Sequence, residues 1–256
     1  MWDIILAALP GVFLYAARVA GVALAAPWFS QANTPTQVRV ALVFMIALSL
    51  WLALGADPWT GAEPTLALLV MPLELLVGLT LGFSVRLLVA VLEIAGEFMA
   101  FQMGYAAAAA FDPTVGAVSS PPTRLLYMVG LMVFLAIDGH HQVLLALASS
   151  YDVVPVGAAG VGSIDAEVFL RLVSGLFHAA LQLALPLMVV MLTVNLVLGL
   201  MVRFLPQLNV FTVGFILTIG MGLWVMVELM PSLGLWMETL LGSSSNWLSL
   251  LLKPPS

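Results

Sequence analysis

The stretch from Thr65 to Gly104 reads TLALLVMPLELLVGLTLGFSVRLLVAVLEIAGEFMAFQMG, and its length decides the fold class. The apolar pattern continues to Ala110. A helix over 65–110 would extend about 69 Å at about 1.5 Å per residue, twice what a hydrocarbon core of about 30 Å needs. Something other than lipid must surround part of it. Its second half carries Arg86, Glu93, Glu97 and Gln102, and offsets of 7 and 11 put Arg86, Glu93 and Glu97 on one face, with Ala90, Ala100 and Gly104. An ionised side chain at a bilayer centre costs about 2.5–3.5 kcal/mol on insertion scales, so this stripe must face protein or water. Two readings stay open: an intrachain packing seam with paired charges, or a subunit interface or conduit wall.

The rest of the chain has the same character. Of 256 residues 63% are hydrophobic and 8% charged, and the mean hydropathy is +1.16. Soluble domains carry about 25% charged residues, so a water-soluble fold is excluded. The expectation is an all-α, multi-helix membrane-complex protein with about six long hydrophobic helices, forming a single domain over 1–256. Apolar length set against Pro, Gly and charge breaks places helices near 4–26, 36–55, 65–110, 121–150, 166–203 and 209–231, with a short amphipathic tail over 234–256. Pro27, Pro35, Pro58, Pro113, Pro121, Pro122, Pro155, Pro206 and Pro231 fall at these breaks, where a missing N–H costs least. Pro72 and Pro186 fall inside helices and predict kinks.

Small residues recur every four positions at Ala17, Gly21 and Ala25, at Gly78 and Gly82, and at Gly96, Ala100 and Gly104. Such tracks let helix backbones approach closely where apolar burial alone cannot drive association. Met1-Trp2-Asp3 puts an acid where a signal peptide needs positive charge, so the first helix is expected to be retained. Arg39, Arg124 and Arg203 lie in the first, third and fifth connections, which the positive-inside rule makes cytoplasmic, with the amino terminus outside. The net charge of −6 includes no basic run suited to nucleic acid.

No phosphate loop, zinc-helix, nucleophile-elbow or dinucleotide motif occurs in the sequence, and the absence of cysteine removes thiolate chemistry. No catalytic residue, metal or cofactor is therefore assigned. Asp138, His140 and His141 form the one compact ligand-like cluster; hydrogen bonding on or between helices explains it better than a metal, and Gly139 marks a local irregularity or close contact. His178 and Gln182, at i and i+4, read as a satisfied pair between helices before they read as a proton path. The 14 methionines suit either core filling or adaptable seals. The stretch 106–122, AAAAAFDPTVGAVSSPP, is small, neutral apart from Asp112 and broken by Pro113 and Pro121-Pro122. It fits a narrow passage as well as a simple interhelical connection.

Four separated patches carry a family resemblance. They are Pro27-Trp-Phe-Ser30 with Pro35-Thr-Gln-Val-Arg-Val40, Glu97-Phe-Met-Ala-Phe-Gln-Met-Gly104 running to Phe111-Asp-Pro113, Phe134-Leu-Ala-Ile-Asp-Gly-His-His141 leading to Pro155, and Leu198-Gly-Leu-Met-Val-Arg203 with Pro206-Gln-Leu-Asn-Val-Phe-Thr-Val-Gly214. In this order and setting the chain resembles the FliR family of the flagellar protein-export gate and, next to it, the FliR-like component of virulence type III secretion. Two positions depart: Ile216 stands where such proteins commonly have proline, and Asn195 where an acid is frequent.

The resemblance implies one copy of this chain joining several copies of FliP and FliQ in a helical gate that associates with FlhB and FlhA, in the bacterial inner membrane at the flagellar basal body. It implies tilted helical hairpins, some of them not conventional transmembrane spans, and passage of unfolded flagellar subunits driven by the proton motive force and a separate ATPase. It further implies a plug over about 106–122 containing Ala110, Phe111, Asp112, Pro113 and Gly116. Arg203, Pro206, Gln207, Asn209, Phe211 and Gly214 would shape the last long turn and hold neighbouring subunits. The competing class is a small-molecule or ion transporter, with Arg86, Glu93, Glu97, His178 and Gln182 as its path; it predicts internal repeats, which the sequence does not show.

Overall fold

The computed structural model describes residues 2–27, 35–54, 64–105, 120–204 and 210–252. Among them are seven α-helices: α1 (Trp2–Ala25), α2 (Thr36–Ala53), α3 (Pro64–Gln102), α4 (Pro121–Ala136), α5 (Gly139–Val153), α6 (Ala166–Phe204) and α7 (Val210–Leu251), with a 3₁₀ turn at Val161–Ser163. The protein is all-α. Four of the helices are long and apolar enough to cross a membrane, five if the interrupted pair α4 and α5 counts as one span.

Local chemistry sets several helix ends. Pro121 and Pro122 open α4, where the lost N–H groups have no intrahelical partner anyway. Asp165 begins α6, its Oδ1 accepting the backbone N–H groups of Glu167 at 3.0 Å and Val168 at 3.3 Å, as an N-cap does.

Three expectations need correction. The third helix stops at Gln102 instead of continuing to Ala110, because Gly104 adopts φ +88°, a left-handed value that ends an α-helix and that glycine reaches without a Cβ clash. The helix expected over 121–150 is interrupted at Ile137 and Asp138, where Asp138 has φ 57°. Aspartate tolerates that region better than most residues, so the irregularity centres one residue before Gly139. The break expected at Pro231 does not occur: α7 continues through it to Leu251, and the tail from 234 is helical to that point. Pro10, Pro72 and Pro186 likewise sit inside α1, α3 and α6. An apolar surround tolerates such prolines when the freed carbonyls find other partners.

The chain divides into two compact units. The first comprises Met1–Leu87, Gly139–Leu172 and Leu241–Ser256. Within it α1 and the first half of α3 run in the same direction at backbone contact. A Cβ on Gly21 would lie 2.6 Å from the backbone nitrogen of Leu79, and one on Gly78 would lie 2.8 Å from the carbonyl carbon of Arg18. The four-residue tracks of small residues therefore mark this contact as expected. Phe13 meets Phe44 of α2 edge-on with ring centroids 6.1 Å apart, and Phe83 stacks on Phe169 of α6 at 5.9 Å.

The second unit comprises Leu88–Asp138 and Val173–Leu240. Gly96 of α3 packs against the Thr123 backbone of α4. Its core is rich in methionine, with Met99, Met103, Met191, Met226 and Met237 nearly inaccessible beside Leu187. Unbranched thioether side chains fill the irregular gaps between helices that branched ones would leave open.

Candidate functional site

The largest feature available for function is uncovered apolar surface. Over its membrane-length window α3 is 61% buried, whereas the corresponding window is 6% buried in α2 and 11% in α6. Along α6 Leu170, Phe177, Leu185, Leu192, Leu196 and Phe204 are all exposed. An apolar face of this length is stable only against lipid or another protein.

A second feature lies in the second unit, at the two ends of the stretch 106–119, which is outside the described residues. At one end the Thr218 hydroxyl of α7 donates to the Met103 carbonyl at 3.1 Å, beside the left-handed Gly104 that terminates α3. At the other end the Ser120 and Thr123 hydroxyls are 2.6 Å apart, and Thr123 Oγ1 donates to Glu97 Oε1 at 2.8 Å. One end of the stretch is thus tied to α7 through Met103, and the other to the last turns of α3 through Glu97.

The third feature, in the first unit, is absent from the sequence-based site list. Arg18 of α1 and Glu74 of α3 form an ion pair with both side chains at 0% exposure. Arg18 Nε donates to Glu74 Oε2 at 2.7 Å, Nη1 to the Ser150 carbonyl and hydroxyl at 3.1 and 3.2 Å, and Nη2 to the Val154 carbonyl at 3.0 Å. The Tyr151 ring lies 4.2 Å from the guanidinium carbon, and Tyr15 stacks on Tyr151 with centroids 4.5 Å apart. Glu74 Oε1 accepts the Gly157 N–H at 2.8 Å. A signal was available: two opposite charges inside otherwise apolar helices require partners, and each is the other's best candidate.

The expected residues are placed as follows. Arg86, Glu93 and Glu97 are all exposed, and the ion pairs among the described residues are Arg18–Glu74 and the solvent-facing Arg171–Glu167. The three side chains do not pair with one another as a seam of charges; Arg86 and Glu93 are exposed, and Glu97, also exposed, accepts the Thr123 hydroxyl of α4. Gln102 is half-buried, and Gly104 serves as helix terminator instead of a member of the packed face. Asp138, His140 and His141 are exposed, and no group of three or more His, Cys, Asp or Glu suited to a metal occurs among the described residues. His178 and Gln182 are exposed on α6, so they do not form a buried pair between helices. Arg203 is exposed in the last turn of α6, and Gly214 is buried facing Leu198. Ala110, Phe111, Asp112, Pro113, Gly116, Pro206, Gln207 and Asn209 lie outside the described residues, and the Phe211 side chain is likewise not described.

Comparison with known proteins bears on how this surface is used. Residues 9–244 match the family of bacterial export proteins, family 1. The chain is 32% identical over 232 residues to the flagellar biosynthetic protein FliR of Escherichia coli K12, which covers 91% of this chain and 88% of that one. It is 30% identical over 225 residues to the FliR of Bacillus subtilis 168, covering 86% of each chain. It is also 30% identical over 222 residues to the FliR of Aquifex aeolicus, covering 86% and 85%.

Proposed function

The chain belongs to the bacterial export proteins, family 1, and from that premise we propose that it is a structural and gating subunit of the flagellar type III export gate, not an enzyme. Export-apparatus membership follows from the family and its flagellar relatives. The observation that carries the structural role is the uncovered apolar surface of α2 and α6, which suits a subunit that completes its packing in an assembly. On this reading the neighbours are FliP and FliQ, with FlhB and FlhA associated, in the inner membrane at the flagellar basal body. The cargo is the unfolded flagellar subunit.

The gating part rests on the stretch around 106–122. It is small and nearly neutral, so it can occupy a narrow passage without burying much charge. The Thr123–Glu97 bond ties one flank to α3, and the Thr218–Met103 bond ties the other to α7. Phe111, Pro113 and Gly116 would form the obstruction, with Asp112 tethering it. Deleting residues 114–118 is expected to raise ion conductance of the reconstituted, otherwise closed complex. Conductance equal to that of the parent complex would refute the plug.

A further inference from the structure

We infer that Arg18 and Glu74 form a latch of fixed polarity, which holds the connection after α5 against the α1–α3 pair. The last carbonyls of an α-helix have no intrahelical partner and form the negative end of its dipole. α5 ends at Val153, and Arg18, from a different helix, donates there to the Val154 carbonyl and to the Ser150 carbonyl, which also accepts the Val154 N–H at 3.0 Å. It is a tertiary C-cap. The next turn, in which the Ala158 N–H bonds the Pro155 carbonyl and Gly157 has φ 83°, points its Gly157 N–H at Glu74.

Ser150 O, Val154 O and Gly157 N are main-chain groups, and their polarity does not change with sequence. The cation must therefore come from α1 and the carboxylate from α3. A solitary buried salt bridge has no such constraint, since exchanging its partners preserves the attraction. Here exchange would set a carboxylate against two carbonyls and a guanidinium against an N–H, leaving those three main-chain groups wrongly paired. Tyr151 reinforces the sense of the pair, because its ring face attracts a cation. The backbone contact at Gly21 and Gly78 brings the two helices close enough for one guanidinium to reach both α3 and the end of α5. Nothing in this depends on the gating role.

The test is hydrogen exchange on the full-length chain in mild detergent, together with recovery from membranes. Glu74→Gln keeps an oxygen for Gly157 and is expected to leave its amide exchange slow. Glu74→Met is expected to speed exchange at Gly157 at least tenfold while amides in the middle of α1 and α3 stay protected. If Glu74→Met is not recovered folded, Glu74→Asp takes its place, and faster exchange confined to the turn is again the expected result. The exchanged pair Arg18→Glu with Glu74→Arg is expected to be recovered no better than the worse single variant. Recovery of that pair at the parent level, or a Gly157 exchange rate unchanged in the Met (or Asp) variant, would overturn the latch.

Discussion

Replacing Gly78 by alanine tests the helix contact on which the first unit depends. A methyl group there would meet the Arg18 carbonyl oxygen and lie 2.8 Å from its carbonyl carbon and 3.1 Å from its Cα. Carbon atoms at optimal separation stand about 3.5–4.0 Å apart, so α1 must retreat by about 1 Å. Overpacking costs about 1–3 kcal/mol. The upper part of that range applies, because main-chain atoms cannot rotate aside as a side chain can. Alanine returns about 0.5–1 kcal/mol of helix preference, leaving a net loss of about 2 kcal/mol. Gly199 of α6 is the internal control: a Cβ there meets nothing within 4 Å, so Gly199→Ala gains about 0.5–1 kcal/mol in the isolated chain. The two variants should differ by about 3 kcal/mol, about a hundredfold in the unfolding equilibrium. Denaturant titration of the solitary chain in mild detergent, followed by circular dichroism, reads this difference. A Gly78→Ala chain as stable as the parent, or a Gly199→Ala chain less stable, would show that backbone contact does not limit the packing of α1 on α3.

Two other substitutions probe the second unit. Thr218→Val removes the hydroxyl that satisfies the Met103 carbonyl and should cost about 1–2 kcal/mol, measured by the same titration; no loss would show that the anchor contributes nothing. Arg203→Ala, at an exposed position, should leave the isolated chain within about 0.5 kcal/mol of the parent while reducing the FliP and FliQ recovered with it, assayed by affinity purification; full recovery would reduce Arg203 to a local role.

Helix boundaries were legible wherever local chemistry decides them. The spans 36–55 and 166–203 correspond closely to Thr36–Ala53 and Ala166–Phe204, since Pro35 and Asp165 mark their starts within the sequence itself. The ends of the third and last long helices were not legible. Whether Gly104 turns left-handed, or whether Pro231 is carried through a helix, depends on what surrounds the freed backbone groups, and that is tertiary information. The tracks at Gly21 and Gly78 were readable as close-approach surfaces because only size matters there. Of the Arg18–Glu74–Ser150–Val154–Gly157 cluster only the charge pair was: the other three participants contribute main-chain atoms, at sequence separations of up to 136 residues, and main-chain groups leave no trace in residue type. The exposed stripe was legible in part. Helical periodicity placed Arg86, Glu93 and Glu97 correctly on one face, but it does not say whether this chain or another covers that face.

Whether other subunits complete the apolar surface of this chain, as in a gate subunit, is decided by co-expressing it with FliP and FliQ and weighing the purified product by native mass spectrometry in mild detergent. A discrete particle holding one copy of this chain with several copies of each partner is expected. A chain that stays monomeric beside co-expressed FliP and FliQ, with solute transport of its own, would overturn that assignment.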